Sequence, residues 1–345
     1  LEVYKRKIKQ KSVGFRANKE LFILSLKNRN GMRLRITNFG ATIMSLEVAD
    51  NTGKLVNVVV GFDSIEQYLE KSKNKESRFL GASIGRCAGR ISGGKVTLNY
   101  LNYPLYQEDG VHLHGGKQGF DEKVWDIDYI DEDALSISLS YDSEHLEEGY
   151  PGDLRAKVKY QLTDANELKI KYEAISDQDT FVNLTNHAYY NLNGSGSILD
   201  HDLQLQCGHY LEVDDKLFPT GILKAVDNTK FDFTNSKCLE VLEFKGGIDD
   251  TLIFNKNSGS KGILKSPQTK IKMELFSDQP GMVVFTPKKM PEGTYRGGVY
   301  EQFAAICFEM QNYPDAPNNW NFPSAYLKEG ELYENNMCFK FDSFD

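Results

Sequence analysis

The chain has 345 residues, 41 basic against 49 acidic side chains and a net charge of -8, which is long enough for a sizeable core and mildly acidic. No block of like charge is longer than Lys5-Arg6-Lys7, so neither nucleic acid nor an anionic membrane finds a basic footprint to bind. No apolar run approaches the ~18 residues of a membrane-spanning helix, and an aromatic share of 12% suits a globular β protein.

The first regular element to expect is a helix over residues 63–70. Asp63 can cap it, Glu66 lies three residues on, and Ile65, Tyr68 and Leu69 share a face. From there, period-two alternation dominates. His112 and His114 flank Leu113 on what reads as one strand face, just before the turn-forming pair Gly115-Gly116. Residues 135–141 alternate without error. Ala156, Val158, Tyr160 and Leu162 oppose Arg155, Lys157, Lys159 and Gln161, and Leu168, Ile170, Tyr172 and Ala174 oppose Lys169, Lys171 and Glu173. These patterns predict half-buried antiparallel strands.

Residues 182–192 read as another strand, with Val182, Leu184, Asn186, Ala188, Tyr190 and Leu192 on one face. The opposite face carries Asn183, Thr185, His187, Tyr189 and Asn191, a set of amides, hydroxyls and an imidazole that suits a sugar better than bulk water. Further on, Gly246-Gly247 delivers Asp249 and Asp250, of which an extended chain can aim only one in a given direction. Ile271, Met273 and Leu275 oppose Lys270, Lys272 and Glu274. Ile306, Phe308 and Met310 leave Glu309 on the other face between Cys307 and Gln311, and Met337, Phe339 and Phe341 close the chain. Turn residues are spread evenly, no Pro/Ser-rich linker divides the sequence and no fixed-period repeat is present. The expectation is one domain over residues 1–345, all-β, a large antiparallel β-sandwich with few short helices.

Among the polar residues, His112 and His114 have a metal-ligand spacing, yet no third ligand motif accompanies them. His145 sits beside acidic residues, and His201 and His209 lie near loops. No metal is therefore expected, and two structural histidines at a strand end are the alternative. His187 is a candidate acid or base because of its polar companions. Glu309, beside bulky hydrophobic neighbours, is a candidate base whose pKa burial would raise from about 4.3; a glutamate on a solvated strand face is the plainer alternative. For Asp249-Asp250 a surface turn is the simplest reading. EF-hand spacing, G-x-S-x-G, the P-loop and G-x-G-x-x-G are all missing. The five cysteines (Cys87, Cys207, Cys238, Cys307, Cys338) are scattered, odd in number and never in C-x-x-C, which predicts reduced thiols in a cytoplasmic setting. The first residue is Leu1 rather than methionine, which leaves a removed leader, and a periplasmic or secreted location, open.

Taken in order, the segments Asn38-Phe-Gly-Ala-Thr42, Gly85-Arg-Cys-Ala-Gly-Arg-Ile91, Leu113-His-Gly-Gly116, Gly149-Tyr-Pro-Gly-Asp153, the tract from Asn183 to Leu192, Val213-Asp-Asp-Lys-Leu-Phe-Pro-Thr-Gly221, Gly247-Ile-Asp249 and the run from Phe308 to Ala316 resemble the aldose 1-epimerase (galactose mutarotase) family nearly end to end. The resemblance implies a large antiparallel β-sandwich and an isomerase that interconverts the α and β anomers of free aldohexoses such as galactose and glucose. By motif, Glu309 looks like the general base at the anomeric hydroxyl and His187 like the general acid at the ring oxygen. Arg90, His114, Asp249, Tyr189 and Gly89 match substrate-binding positions, and no metal or organic cofactor is implied. The implied partner is a small aldose, without nucleic acid or membrane; monomer and homodimer are both open.

Three positions depart from the pattern. Gly89 stands where many members have asparagine, Val283 where animal-type members have glutamine, and Asp250 where histidine or asparagine is usual. Two other readings carry weight: an epimerase of the same fold acting on hexose 6-phosphate, which needs a basic cluster at the far end of the sugar, and a catalytically silent carbohydrate-binding β-sandwich. A glycoside hydrolase needs two carboxylates across the scissile bond, whereas the matched acid here is a histidine.

Overall fold

The computed structural model describes residues 5–73, 79–242, 246–256 and 259–345. Three antiparallel sheets carry the architecture. The largest has nine strands, in the order Asp126–Asp131, Ser136–Ser143, Leu154–Leu162, Glu167–Ser176, Tyr333–Ser343, Ile271–Ser277, Gly262–Lys265, Asp202–Leu205 and Lys237–Cys238. A six-stranded sheet runs Tyr189–Tyr190, Ile306–Gln311, Gly281–Phe285, Asp249–Phe254, Cys207–Val213 and Pro219–Ala225. A five-stranded sheet takes the N-terminal segments from Lys7–Arg16 to Leu55–Asn57 in chain order.

The alternation in the sequence is what packs these sheets face to face. Ile137, Leu139, Val158, Tyr160, Ile170 and Tyr172 point inward from the nine-stranded sheet. They join Leu252, Met282, Val284, Phe308 and Met310 of the six-stranded sheet and Ile36 and Ile43 of the five-stranded one in a single apolar cluster. Lys157, Lys169, Lys171 and Glu173 stay on the wet face. The result is the large antiparallel β-sandwich that the periodicity predicts. The expected helix forms over Ile65–Lys73. It starts two residues later than expected, with Ser64 and not Asp63 immediately before it, and runs three residues further through polar positions that carry no periodic signal. No helix among the described residues is long and apolar enough to cross a membrane.

The tract 182–192 departs from the expectation of one continuous strand. It is broken into Thr185–Asn186, paired with Ser83–Ile84, and Tyr189–Tyr190, paired with the strand Ile306–Gln311. The break has a local cause. Asn186 Oδ1 accepts from the N–H of Ala188 (3.1 Å), a side-chain turn that competes with the ladder, while its Nδ2 donates to the carbonyl of Gly81 (3.2 Å). The backbone of His187 is held from both sides. Its N–H donates to the carbonyl of Ala82 (2.9 Å), and its carbonyl accepts from the N–H of Gly81 (2.9 Å).

Alternation of faces survives the break. Val182, Leu184, Ala188, Tyr190 and Leu192 enter the main core. Three residues of the opposite face do something other than expected: they bind the neighbouring chain segment instead of lining a cavity. Asn183 Nδ2 donates to the carbonyl of Asn312 (3.0 Å) and its Oδ1 accepts from the Asn312 N–H (2.9 Å). Thr185 Oγ1 donates to the carbonyl of Met310 (2.9 Å), and Asn191 Nδ2 to that of Ala304 (2.8 Å). The tract is thus fastened along the strand Ile306–Gln311 by side chains where backbone pairing is interrupted. Asn183→Ala leaves both backbone groups of Asn312 without this buried partner, and an unmet buried polar group costs about 1–3 kcal/mol. Urea denaturation of this variant is expected to show a lower midpoint with an unchanged slope.

Candidate functional site

The strand Ile306–Gln311 is buried throughout, and its apolar residues Ile306, Phe308 and Met310 all enter the main core. Pleating therefore turns Glu309 away from that core, opposite Val283 of the adjacent strand and into a cavity of about 190 Å³. The carboxylate is only 1% exposed, so the solvated-strand alternative fails. His187, brought alongside by the fastened tract, sits with Nε2 3.4 Å from Glu309 Oε1. Its ring runs parallel to that of Tyr189 (5.1 Å between centroids) and meets His114 edge-on (5.5 Å).

Burial dominates the electrostatics of this pair. It lowers the His187 pKa from 6.5 to about 4, and it raises that of Glu309 well above its ordinary value near 4.5. The negative charge of Asp249 pushes Glu309 further up, while Arg90 pulls it down. Burial thus disfavours the ionised form of both groups. His187 Nδ1 and Glu309 Oε2 are buried without a hydrogen-bond partner in the protein. Buried polar atoms are nearly always paired, and these two belong to residues that line the same cavity.

His114 and Gly89 interlock. The His114 N–H donates to the Gly89 carbonyl (2.9 Å), and the Gly89 N–H donates to His114 Nδ1 (3.1 Å). A ring nitrogen that accepts carries no proton, so the neutral imidazole has its proton on Nε2. Gly89 has φ +78°, and a Cβ added there would lie 2.8 Å from the Pro314 side chain. Asparagine at this position would be strained twice over, and the site uses the backbone of residue 89 instead. His112 does not share a face with His114, contrary to the reading of the H-x-H segment. His114 has left the strand at φ +50°, while His112 is buried with Nδ1 2.7 Å from the Tyr106 carbonyl and Nε2 2.6 Å from Tyr150 Oη. The set among the described residues with metal-ligand chemistry is instead His114, His187 and Glu309, whose donor atoms lie within 4.8 Å of one another.

Arg90 and Asp249 enter from different sheets and approach to 3.8 Å. Asp250, expected to point away from Asp249, lines the same cavity. Its Oδ2 accepts from the Asp249 N–H (3.1 Å), which folds the side chain back, and Lys230 lies 3.7 Å away. Burial raises the pKa of both acids against the pull of Arg90 on Asp249 and of Lys230 on Asp250. All seven residues singled out in the sequence (Glu309, His187, Arg90, His114, Asp249, Tyr189 and Gly89) line this one cavity, and Val283 adds an apolar wall. Phe79 and Phe285, which also line it, were not singled out. Their rings bracket His187 at 5.9 Å and 6.1 Å, and isolated phenylalanines carry no signal that separates a site wall from a core.

The buried carboxyl makes a prediction about stability. The Glu309 pKa is higher folded than unfolded, so above pH 4.5 the folded protein binds more protons and loses stability as pH rises. Glu309→Gln removes that dependence. Its thermal midpoint should exceed the parent's at pH 8, by on the order of 0.5–2 kcal/mol of added stability, and converge with it near pH 4 in calorimetry.

Comparison with known proteins places this geometry. Residues 23–340 match the family described as Aldose 1-epimerase. The galactose mutarotase of Bos taurus is 37% identical over 322 residues, 90% of this chain and 91% of that protein. The aldose 1-epimerase of Escherichia coli (strain K12) is 31% identical over 340 residues, 92% of this chain and 94% of that protein. Among solved structures, the galactose 1-epimerase from Lactobacillus acidophilus superposes with TM-score 0.86 at 28% identity, covering 99% of this chain and 100% of that one. An aldose epimerase homologue from C. elegans reaches TM-score 0.87 at 28% identity, covering 94% and 99%.

Proposed function

This chain belongs to the aldose 1-epimerase family, and from that membership we propose how its site divides the chemistry. The protein is an isomerase that interconverts the α and β anomers of aldoses. In our reading Glu309, as carboxylate, takes the proton from the anomeric hydroxyl while His187, as imidazolium, gives its proton to the ring oxygen. The bond between that oxygen and C1 breaks, and O1 becomes the carbonyl oxygen of the open aldehyde. Rotation about the bond between C1 and C2 presents the other carbonyl face. On reclosure the C5 hydroxyl attacks C1, His187 takes the hydroxyl proton and Glu309 returns a proton to O1.

The observation that carries this reading is the buried contact of 3.4 Å between His187 and Glu309. The pair holds one proton throughout the cycle, first on His187 and then on Glu309. Burial disfavours the charged arrangement, which is the one facing the closed ring, and favours the neutral arrangement, which faces the open aldehyde. Proton transfer and ring opening thus run downhill together in the electrostatics of the site. Arg90 supports the ionised state of Glu309 and, with His114 Nε2–H, donates to the ring oxygen and hydroxyls. Asp249 accepts from hydroxyls, Tyr189 packs beside His187, and Gly89 holds the His114 tautomer. The nearest cations, Arg90 and Lys230, stand against Asp249 and Asp250, which favours a neutral aldose over a phosphorylated one.

We read residues 1–345 as one domain, supported by the family match over 23–340 and the shared core. Five free thiols support a cytoplasmic setting, and monomer and homodimer are both compatible with the site being complete in one chain. Polarimetry of freshly dissolved α-galactose and α-glucose, extended to a panel of aldoses, should show relaxation faster than the uncatalysed rate. Glu309→Gln and His187→Asn should each lower the rate by about 10²–10⁴-fold; near-normal turnover in either variant would refute the assignment. With one proton needed on the pair, the rate should fall as His187 gains its proton near pH 4.

A further inference from the structure

The outer face of the five-stranded sheet carries a concentration of positive charge at odds with a chain whose net charge is -8. A groove of about 420 Å³ there is lined by Lys7, Lys9, Lys27, Arg33, Arg35 and Arg296, against the single carboxylate of Glu47. Strand register puts these cations together. Lys7 pairs across the ladder with Lys27 and Lys27 with Arg33, and in the next row Lys9 faces Ser25, which faces Arg35. Like charges directly opposite one another in a sheet are destabilising. On the nine-stranded sheet the like-charged oppositions that also occur, Lys159 with Lys171 and Glu173 with Glu334, are offset by the ion pairs of Lys171 with both glutamates.

Glu47 does not neutralise the groove. It is shared between Arg33 (3.3 Å) and Arg296 (3.4 Å). Arg35 is half-buried at the floor and forms no ion pair with a described residue. Burial and Arg296 disfavour its charge, against the opposing pull of Glu47 and Asp63. Arg296 also ties the groove to a defined backbone, since its carbonyl accepts from Asn57 Nδ2 (3.0 Å) and its N–H donates to the Gly61 carbonyl (2.9 Å). Three guanidinium groups from two adjacent strand positions and a loop, with lysines at the rim, are donors suited to the several oxygens of one tetrahedral oxyanion.

We propose that this groove is a binding site for a phosphate group, free or carried by a small ester, separate from the sugar cavity. None of its residues lines that cavity. Six cations face one carboxylate across the groove, an excess that favours an anion there.

Isothermal titration at low ionic strength with inorganic pyrophosphate, and in parallel with glycerol 3-phosphate, tests the site on the intact protein. Saturable one-site binding is expected, weakened by added sodium chloride. Arg35→Gln should weaken it at least tenfold, and Arg33→Gln, at an exposed position, should weaken it several-fold, with mutarotation retained in both as a check of folding. Tighter binding of pyrophosphate assigns the site to free phosphates, and tighter binding of glycerol 3-phosphate to esters. No saturable heat with either anion at millimolar concentration, binding unchanged in both variants, or capture of a polyglutamate peptide without either anion would overturn the proposal.

Discussion

The site depends on how residues 183–191 are fastened to residues 304–312. Backbone pairing joins these segments only at Tyr189–Tyr190, because the Asn186 turn interrupts the ladder. Asn183, Thr185 and Asn191 supply the missing attachment through hydrogen bonds to backbone groups of Asn312, Met310 and Ala304. Asn335 adds a bridge from the nine-stranded sheet by donating to the carbonyls of both Leu184 and Met310. The interruption frees the His187 side chain from the position that a regular strand would dictate, and the fastening holds it at 3.4 Å from Glu309. Precision here comes from polar side chains used as substitutes for a sheet ladder.

Burial then converts that geometry into chemistry. A histidine and a glutamate at this separation on the surface would form an ordinary ion pair. In a cavity walled by Tyr189, Phe79 and Phe285, burial favours the neutral forms of both. The same wall that tunes the pair restricts the space left for a sugar. Beyond burial, Asp249 and Arg90, of opposite charge, act on Glu309 in opposite directions.

The sandwich was legible because its strands are half-buried and antiparallel, which leaves a period-two imprint on segments such as 154–162 and 167–176. Site residues were legible in two ways. The type of the polar residues in 182–192, and the carboxylate in an apolar strand, raised His187 and Glu309 from the residues themselves. Arg90, Gly89 and Asp249 came only with the ordered motifs of the family, since an arginine, a glycine and an acidic turn carry no distinctive local signal. The errors share one origin. Assigning 182–192 to one strand, His112 and His114 to one face, and Asp250 away from Asp249 all applied strict alternation across places where the backbone departs from it, at the Asn186 turn, at the positive φ of His114 and at the folded-back Asp250 side chain.

Sequence by itself determined what is local and periodic: the strands, their inward faces, the absence of long amphipathic helices and the kinds of side chain available for acid and base work. Only the tertiary structure decided which members of one polar face reach the cavity and which bind backbone. That choice turns on segments 125 residues apart coming into register, as Thr185 and Met310 do. It likewise decided the His114 tautomer, through the Gly89 N–H, and the raised pKa of Glu309, through burial. A pattern of residue types states which groups can exchange protons; distance and burial, which the chain acquires only on folding, settle where the proton lies.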